Sequence, residues 1–196
     1  GMGASALATA KLKYKGTSIS LIGIDKNYHS KRNNFFAFWL TDWMKDFDSL
    51  AQKKWFCWNF YLTNNHIKHE TKDLPYCTIR YQDWKNYCLK GLENLSIKEF
   101  NVQSITNLKK YYEIKLENGE EIFAKKIYDS RTPKLENKKV KQHFFGYLIE
   151  TKQMINSNSV TLMDFRVEQE MGLHFMYCLP IDCLLYTSDA ADDVRG

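Results

Sequence analysis

The sequence predicts an α/β fold, a βαβ-type start carrying a β-rich antiparallel insert. Three observations lead there. A glycine-spaced turn, Gly1-Met2-Gly3-Ala4-Ser5-Ala6, opens a helix-compatible stretch. A compact β-branched run, "SISLIGID", follows it and ends in Asp25. Beyond that, short runs of alternating apolar and polar residues succeed one another with little helix between them, as antiparallel strands do.

The elements follow in order. "GMGASALATAKLKYKG" moves from small residues to a helical stretch that Gly16 can close. "SISLIGID" suits a buried parallel strand. "KNYHSKRNN" is polar loop. "FFAFWL" is strand-sized, Trp43 to Leu50 is an amphipathic helical stretch, and Trp55 to Leu62 is a strand. "PYCTIRYQDWKNYCLKGLE" reads as a strand and then a helix from about Gln82. "YYEIKLENGEEIFAKKIYDSR" places two alternating runs around Asn118-Gly119, the preferred pair for a two-residue type I′ hairpin turn, with the second run reaching Ile127 and stopping at Asp129. "KQHFFGYLIET", "VTLMDFRVEQ" and "LHFMYCLP" give three further strands.

The opening turn carries chemistry. Gly1, Gly3 and Ala6 fit G-x-G-x-x-A, and Asp25 stands about 20 residues further on. In such a unit the first glycine makes the tight turn and the second lets backbone approach a pyrophosphate. The small third residue lets helix and strand pack closely. The helix N-terminus presents free N–H groups to the phosphates, and the acid accepts from a ribose hydroxyl. A six-residue glycine match is weak by itself, and Gly1-Met2 would also arise from a tag scar before a start methionine; the strand and acid that follow favour the dinucleotide reading. The expected fold is therefore a Rossmann-like FAD/NAD(P)-binding domain whose first strand is missing, with an antiparallel substrate-domain insert.

Composition narrows the partners. Hydrophobic residues make up 44% of the 196, enough for a real core, and the net charge is +5. That balance mildly favours phosphate-bearing or anionic partners. The lysines, however, occur as scattered pairs such as Lys109-Lys110 and Lys138-Lys139, a solvated face and not a nucleic-acid stripe. Cys57, Cys77, Cys88, Cys178 and Cys183 form no CxxC, and neither His66 nor His69 has metal-ligand spacing to a cysteine or carboxylate cluster. Reduced, mostly buried thiols of a cytoplasmic protein are expected, with no metal. No apolar run nears the roughly 20 residues of a membrane-spanning helix, so any membrane contact is expected to be peripheral.

Three segments in the back half carry a resemblance. "IYDSRTP", "KQHFFGYLIET" and "VTLMDFRVEQ…HFMYCLP" resemble, in order and spacing, the lycopene cyclase family in its bacterial FAD-dependent β-cyclase form. That family runs D-S-R, then Q-x-F-x-G-W, then L-M-D-F, then F-x-Y-x-L-P. The likeness spans Gly1 to about Asp182. The front departs from it: Asn33 and Asn34 stand where Asp and Arg are expected in N-D-R-T-W-C-F-W, Phe36 replaces Trp, and Tyr147 replaces the Trp after the glycine.

The resemblance implies an isomerase that cyclises the ends of lycopene, or a related linear carotenoid, to β-ionone rings. It implies reduced FAD, with NADPH or NADH as electron source and no net redox change, and peripheral contact with membrane lipid. Asp129 and Arg131 then border the cofactor. Asp164 is the catalytic candidate inside the likeness; Asp164, Arg166 and Glu168 are expected on one strand face, where the arginine favours an ion-pair network. Trp39, Trp43, Trp55 and Trp58 are expected in the core ahead of a polyene wall. The family's main acid, the Glu of an E-x-T strand, is expected shortly after Pro180, where this chain reads "CLLYTSDAADDVRG" instead. That string resembles translated sequencing adapter. The expected division is therefore 1–50 for the start of the cofactor domain, 51–182 for its remainder and the substrate region, and 183–196 for the foreign tail. A chain so truncated is expected to be inactive on its own.

Overall fold

The computed structural model describes residues 2–30, 34–131, 141–170, 172–182 and 185–194, with 141–144 and 185–194 described by backbone alone. In chain order come helix α1 (Ala4–Tyr14), β1 (Leu21–Ile24), β2 (Phe35–Trp39), a 3₁₀ helix (Asp42–Leu50), β3 (Lys53–Trp55), β4 (Cys57–Leu62), β5 (Asn65–Glu70) and β6 (Tyr76–Arg80). Then follow α2 (Tyr81–Leu89), β7 (Leu95–Lys98), β8 (Val102–Asn107), β9 (Tyr112–Leu116), β10 (Glu121–Ala124), β11 (Lys141–Glu150), β12 (Val160–Asp164), β13 (Gly172–Pro180) and β14 (Leu185–Val194). The mixed α/β class is as expected.

The chain forms two compact units, Gly1–Asn34 with Tyr81–Pro133, and Phe35–Arg80 with Lys134–Gly196. The chain passes from one unit to the other after Asn34 and again after Arg80. The cause is pairing: β2 and β6 run antiparallel from Phe35↔Arg80 to Trp39↔Tyr76, so both strands belong to the same unit.

In the first unit β1 and β7 pair in parallel, Leu21↔Leu95 to Ile24↔Lys98. A parallel pair needs a long crossover, which the intervening chain supplies. Helix α1 ends as the sequence predicts, with Gly16 at φ +70°. Strands β8, β9 and β10 form an antiparallel sheet whose alternation buries Ile114, Leu116 and Ile122, with Ile24, Val102 and Ile105 packed against them.

The β9–β10 turn corrects the type I′ expectation. Gly119 N–H donates to Leu116 O at 3.0 Å, and Leu116 N–H donates to Glu120 O at 2.9 Å, so three residues form the loop. Gly119 sits at φ +86°, whereas Asn118 keeps a negative φ. A type I turn followed by a left-handed glycine fits this geometry; type I′ would need both residues left-handed. Asn118 serves through its side chain, which accepts Glu120 N–H at 3.1 Å.

In the second unit β2, β6 and β3 form one antiparallel sheet, and β11-β14-β13-β12-β4-β5 form another, in which only β12 and β4 run parallel. Central β6 is buried from Tyr76 to Ile79, as a strand covered on both faces is. The core gathers Trp55, Trp58, Tyr76, Val160, Leu162 and Leu179. Two of the four tryptophans thus meet the core expectation; Trp39 and Trp43 remain 41% and 71% exposed. The expected strand from Trp55 to Leu62 breaks at Phe56, and β5, unforeseen in the sequence, pairs with β4 from Cys57↔Glu70 to Leu62↔Asn65. The tail forms β14, its backbone hydrogen-bonded to β11 and β13. Backbone pairing asks for no particular side chains, so the origin of the tail is a separate matter. Among the described residues no helix is long and apolar enough to cross a membrane.

Burial raises the Cys77 thiol to about 11 and the Cys88 thiol to about 12. Nucleophilic thiolate is then scarce at neutral pH. Iodoacetamide at pH 8, followed by peptide mapping, should leave both residues unlabelled in the folded chain and label both in urea. Labelling of either at the rate of a free thiol would contradict this packing.

Candidate cofactor-binding site

The N-terminus of α1 is open. Its N-cap is Gly3, no side chain caps it, and no acid stands in its first turn. The first N–H groups of an α-helix lack partners inside the helix, and the helix dipole gives that end partial positive charge. Such an end receives an anion readily.

Asp25 follows β1 directly and lies against this turn. Its carboxylate accepts the Met2 N–H at Oδ2 and the Asn27 N–H at Oδ1, both at 3.0 Å. It is only 9% exposed. Hydrogen bonds to a charged, sheltered acceptor contribute roughly 1.5–3 kcal/mol each. The residue expected to hold a ribose therefore also anchors the glycine turn to the strand. Its own backbone N–H donates to Lys98 O at 3.0 Å, which carries the β1–β7 ladder up to the site.

The third segment arrives through a residue the sequence analysis passed over. Gly3 N–H donates to Ser130 Oγ at 3.1 Å. A Cβ on Gly3 would lie 3.2 Å from that oxygen and 3.3 Å from Ser130 Cβ. Gly3 has φ −68° and ψ 166°, open to any residue, so it is closeness to Ser130 and not conformation that favours glycine here. The signal for this serine in the sequence is its place in the middle of D-S-R. A second constraint lies below: a Cβ on Gly23 would meet Met2 Sδ at 2.6 Å and Ile97 Cδ1 at 2.9 Å.

Asp129 and Arg131 flank Ser130, not at a strand end as expected but in an irregular stretch beyond β10, which stops at Ala124. Arg131 donates to both carboxylate oxygens of Asp129, from Nη2 at 2.7 Å and Nε at 2.9 Å. The guanidinium, helped by the Arg131 N–H, lowers the Asp129 carboxyl to about 2. Both side chains are about 40% exposed, so the pair adds little stability and acts chiefly to orient the motif.

The turn, Asp25 and D-S-R therefore converge in the first unit. Ala6 lies half-buried in the first turn of α1. Gly1 and Asn33 fall outside the described residues. Asn34 contributes its carbonyl, which accepts Tyr81 N–H at 3.0 Å. A shallow depression beside the turn is floored by Met2, Asp25, Asn27 and Tyr28. The open helix end, the close-approach glycine and the buried acid fit a ligand bearing a diphosphate and a ribose.

Asp164 lies in the second unit. Strand β12 ends at Asp164, so the shared strand face expected for Asp164, Arg166 and Glu168 does not form. The chain turns back instead, and Arg166 donates to Asp164 from its backbone N–H at 3.1 Å, from Nε at 2.8 Å and from Nη2 at 2.6 Å. The guanidinium holds the carboxyl below its usual range. Arg166 also covers the Tyr61 ring at 4.1 Å, and Tyr61 stacks on His66 at 4.4 Å. His66 Nε2 meets Asn59 Oδ1 at 2.8 Å. Of the two acids expected around Arg166, Asp164 is the one it pairs with among the described residues. The pairing favours the ionised form of Asp164. Among the described residues no group of three or more His, Cys, Asp or Glu gathers for a metal.

The Asp129 pair gives a pH signature. A carboxyl lowered on folding stays ionised above the unfolded value, near 3.9, and its contribution fades as pH falls through about 2. Carbon-detected titration of Asp129 should show a midpoint near 2 that climbs towards the ordinary value in Arg131→Ala. An ordinary midpoint in the unaltered chain would mean that the pair does not form.

With this geometry in place, comparisons place the chain. Its fold is similar to 2,6-dihydroxypyridine-3-hydroxylase from Arthrobacter nicotinovorans, at 10% identity and TM-score 0.64, covering 98% of this chain and 55% of that one. It is also similar to HpxO from Klebsiella pneumoniae, solved with FAD and uric acid, at 10% identity and TM-score 0.63, covering 99% and 55%. The halogenase PltM matches at 11% identity and TM-score 0.63, covering 98% and 50%. The chain thus spans about half the length of these structures. No curated protein matches it in sequence. A family model described as lycopene cyclase protein matches residues 1–185, the span that holds the glycine turn, D-S-R and L-M-D-F. By that match the chain belongs to the lycopene cyclase family.

Proposed function

We propose that the chain is part of a flavin-dependent lycopene cyclase, an isomerase that closes β-ionone rings on a linear carotenoid without net redox change. The observation that carries this reading is the open N-terminus of α1, with Gly3 pressed against Ser130 and Asp25 beneath it, in a chain of this family. The N–H groups of the first turn bind the diphosphate of FAD. Asp25 orients its ribose while holding Met2. Asp129 and Arg131 border the same site. Reduced FAD, with NADPH or NADH as electron source, supplies an electron-rich ring that stabilises positive charge in the substrate.

Cyclisation also needs a proton delivered to a terminal double bond by an acid of raised pKa. Arg166 lowers Asp164, so Asp164 keeps a charged network in place and a different carboxyl delivers the proton. A cytoplasmic protein resting on lipid gives access to so apolar a substrate, and the net charge of +5 favours an anionic surface. The second reading is a flavin-dependent oxidoreductase or monooxygenase acting on another isoprenoid. Two of the fold relatives are named as hydroxylases or studied with FAD, which favours it.

Two measurements test the proposal. Titration of the chain with FAD should quench flavin fluorescence saturably, and Gly3→Val, which adds bulk against Ser130, should weaken binding at least tenfold. Absence of saturable binding would sink the flavin reading. The complete gene in lycopene-accumulating cells should yield cyclised products of unchanged mass; a product heavier by one oxygen would establish the second reading instead.

A further inference from the structure

Helix α2 sends three side chains to backbone carbonyls of the site, a pattern outside the motifs considered so far. Tyr81 Oη donates to Met2 O at 2.9 Å. Trp84 Nε1 donates to Ala4 O at 3.1 Å. Lys85 Nζ donates to Tyr28 O, in the loop that follows Asp25, and lies 3.7 Å from the centre of the Tyr28 ring. The three residues occupy positions i, i+3 and i+4, one helical face, and all are at least nine-tenths buried. None belongs to a dinucleotide fingerprint.

Peptide geometry tells what these bonds do. A trans peptide points its C=O and its N–H in opposite directions within one plane. The Met2–Gly3 peptide is held at both ends, its carbonyl by Tyr81 and its N–H by Ser130. The Ala4–Ser5 peptide is held at its carbonyl by Trp84, which fixes the direction of the Ser5 N–H. That N–H belongs to the open first turn. Lys85 holds the other wall, the loop whose Asn27 N–H shares the Asp25 carboxylate.

We infer that Tyr81, Trp84 and Lys85 are positioning residues: Trp84 aims the Ser5 N–H of the open first turn, while Tyr81 and Lys85 fix the glycine turn and the loop after Asp25 around it, so that the first turn meets a diphosphate ligand in a fixed arrangement. The inference rests on the flavin reading of the turn for its ligand, but its geometric content stands apart from it. Preorganised donors bind without paying the cost of ordering at the moment of contact. Without these bonds the Met2–Gly3 peptide would be held from the Ser130 side alone, and the Ser5 N–H would lose the anchor on its own peptide.

Tyr81→Phe removes one donor and keeps the ring, and Trp84→Phe removes the other. Each should weaken FAD and ADP binding roughly five- to tenfold, the worth of one such hydrogen bond. Riboflavin, which has no phosphate, should bind unchanged. Gln82→Ala, on the exposed side of the same helix, should leave all three affinities unchanged. In the ligand-free chain, amide exchange at Gly3 should quicken in Tyr81→Phe and at Ser5 in Trp84→Phe, with the urea midpoint little moved. Unchanged FAD affinity in both variants, or an equal loss for riboflavin, would overturn the inference. If the unaltered chain binds no flavin, the function reading fails by itself. The exchange rates then decide: faster local exchange supports the positioning role, and unchanged exchange overturns it.

Discussion

The site depends on one buried carboxylate. Asp25 stands where a parallel strand ends, and its two oxygens accept N–H groups from two different segments, Met2 before the helix and Asn27 after the strand. A carboxylate so sheltered would be costly without those partners. Once they are in place it fixes the glycine turn over β1, and the other features follow. A side chain on Gly23 would have to displace the Met2 thioether and the end of Ile97, and one on Gly3 would crowd Ser130. The open end of α1 then faces a defined direction.

The second unit shows the opposite use of a carboxylate. Asp164 is saturated by Arg166 through three donors, and that arginine lies on Tyr61, which stacks on His66. Charge and ring are satisfied locally where β12 leaves its sheet. The L-M-D-F segment is thereby a structural corner of this family member, with Val160 and Leu162 turned into the core and Asp164 closing the strand.

Much of the first unit was legible in the sequence because its signals are local. Small residues open α1, β-branched residues build β1, and Gly16 and Asn118-Gly119 mark turns. The loop at Asn118 proved one residue longer because Leu116 and Glu120, not their inner neighbours, close it. Strand β5 escaped notice because all six of its residues are exposed and "NHIKHE" has no apolar alternation. Its strand character comes from pairing with β4, a tertiary effect. The same reason hid Ser130 and the α2 face: each acts on a backbone atom dozens of residues away, and sequence spacing carries no trace of that. The pairing of β2 with β6 is hidden for a related cause, since the partner lies far along the chain.

The central claim is that the first turn of α1 is a diphosphate site held from below by Asp25 and from the side by Ser130. Amide chemical shifts of the chain during an ADP titration test it most directly. The account predicts saturable shifts at Gly3, Ser5 and Ala6, while Glu120 in the β9–β10 hairpin stays still. Shifts that do not saturate, or that spread equally over the hairpin, would contradict it.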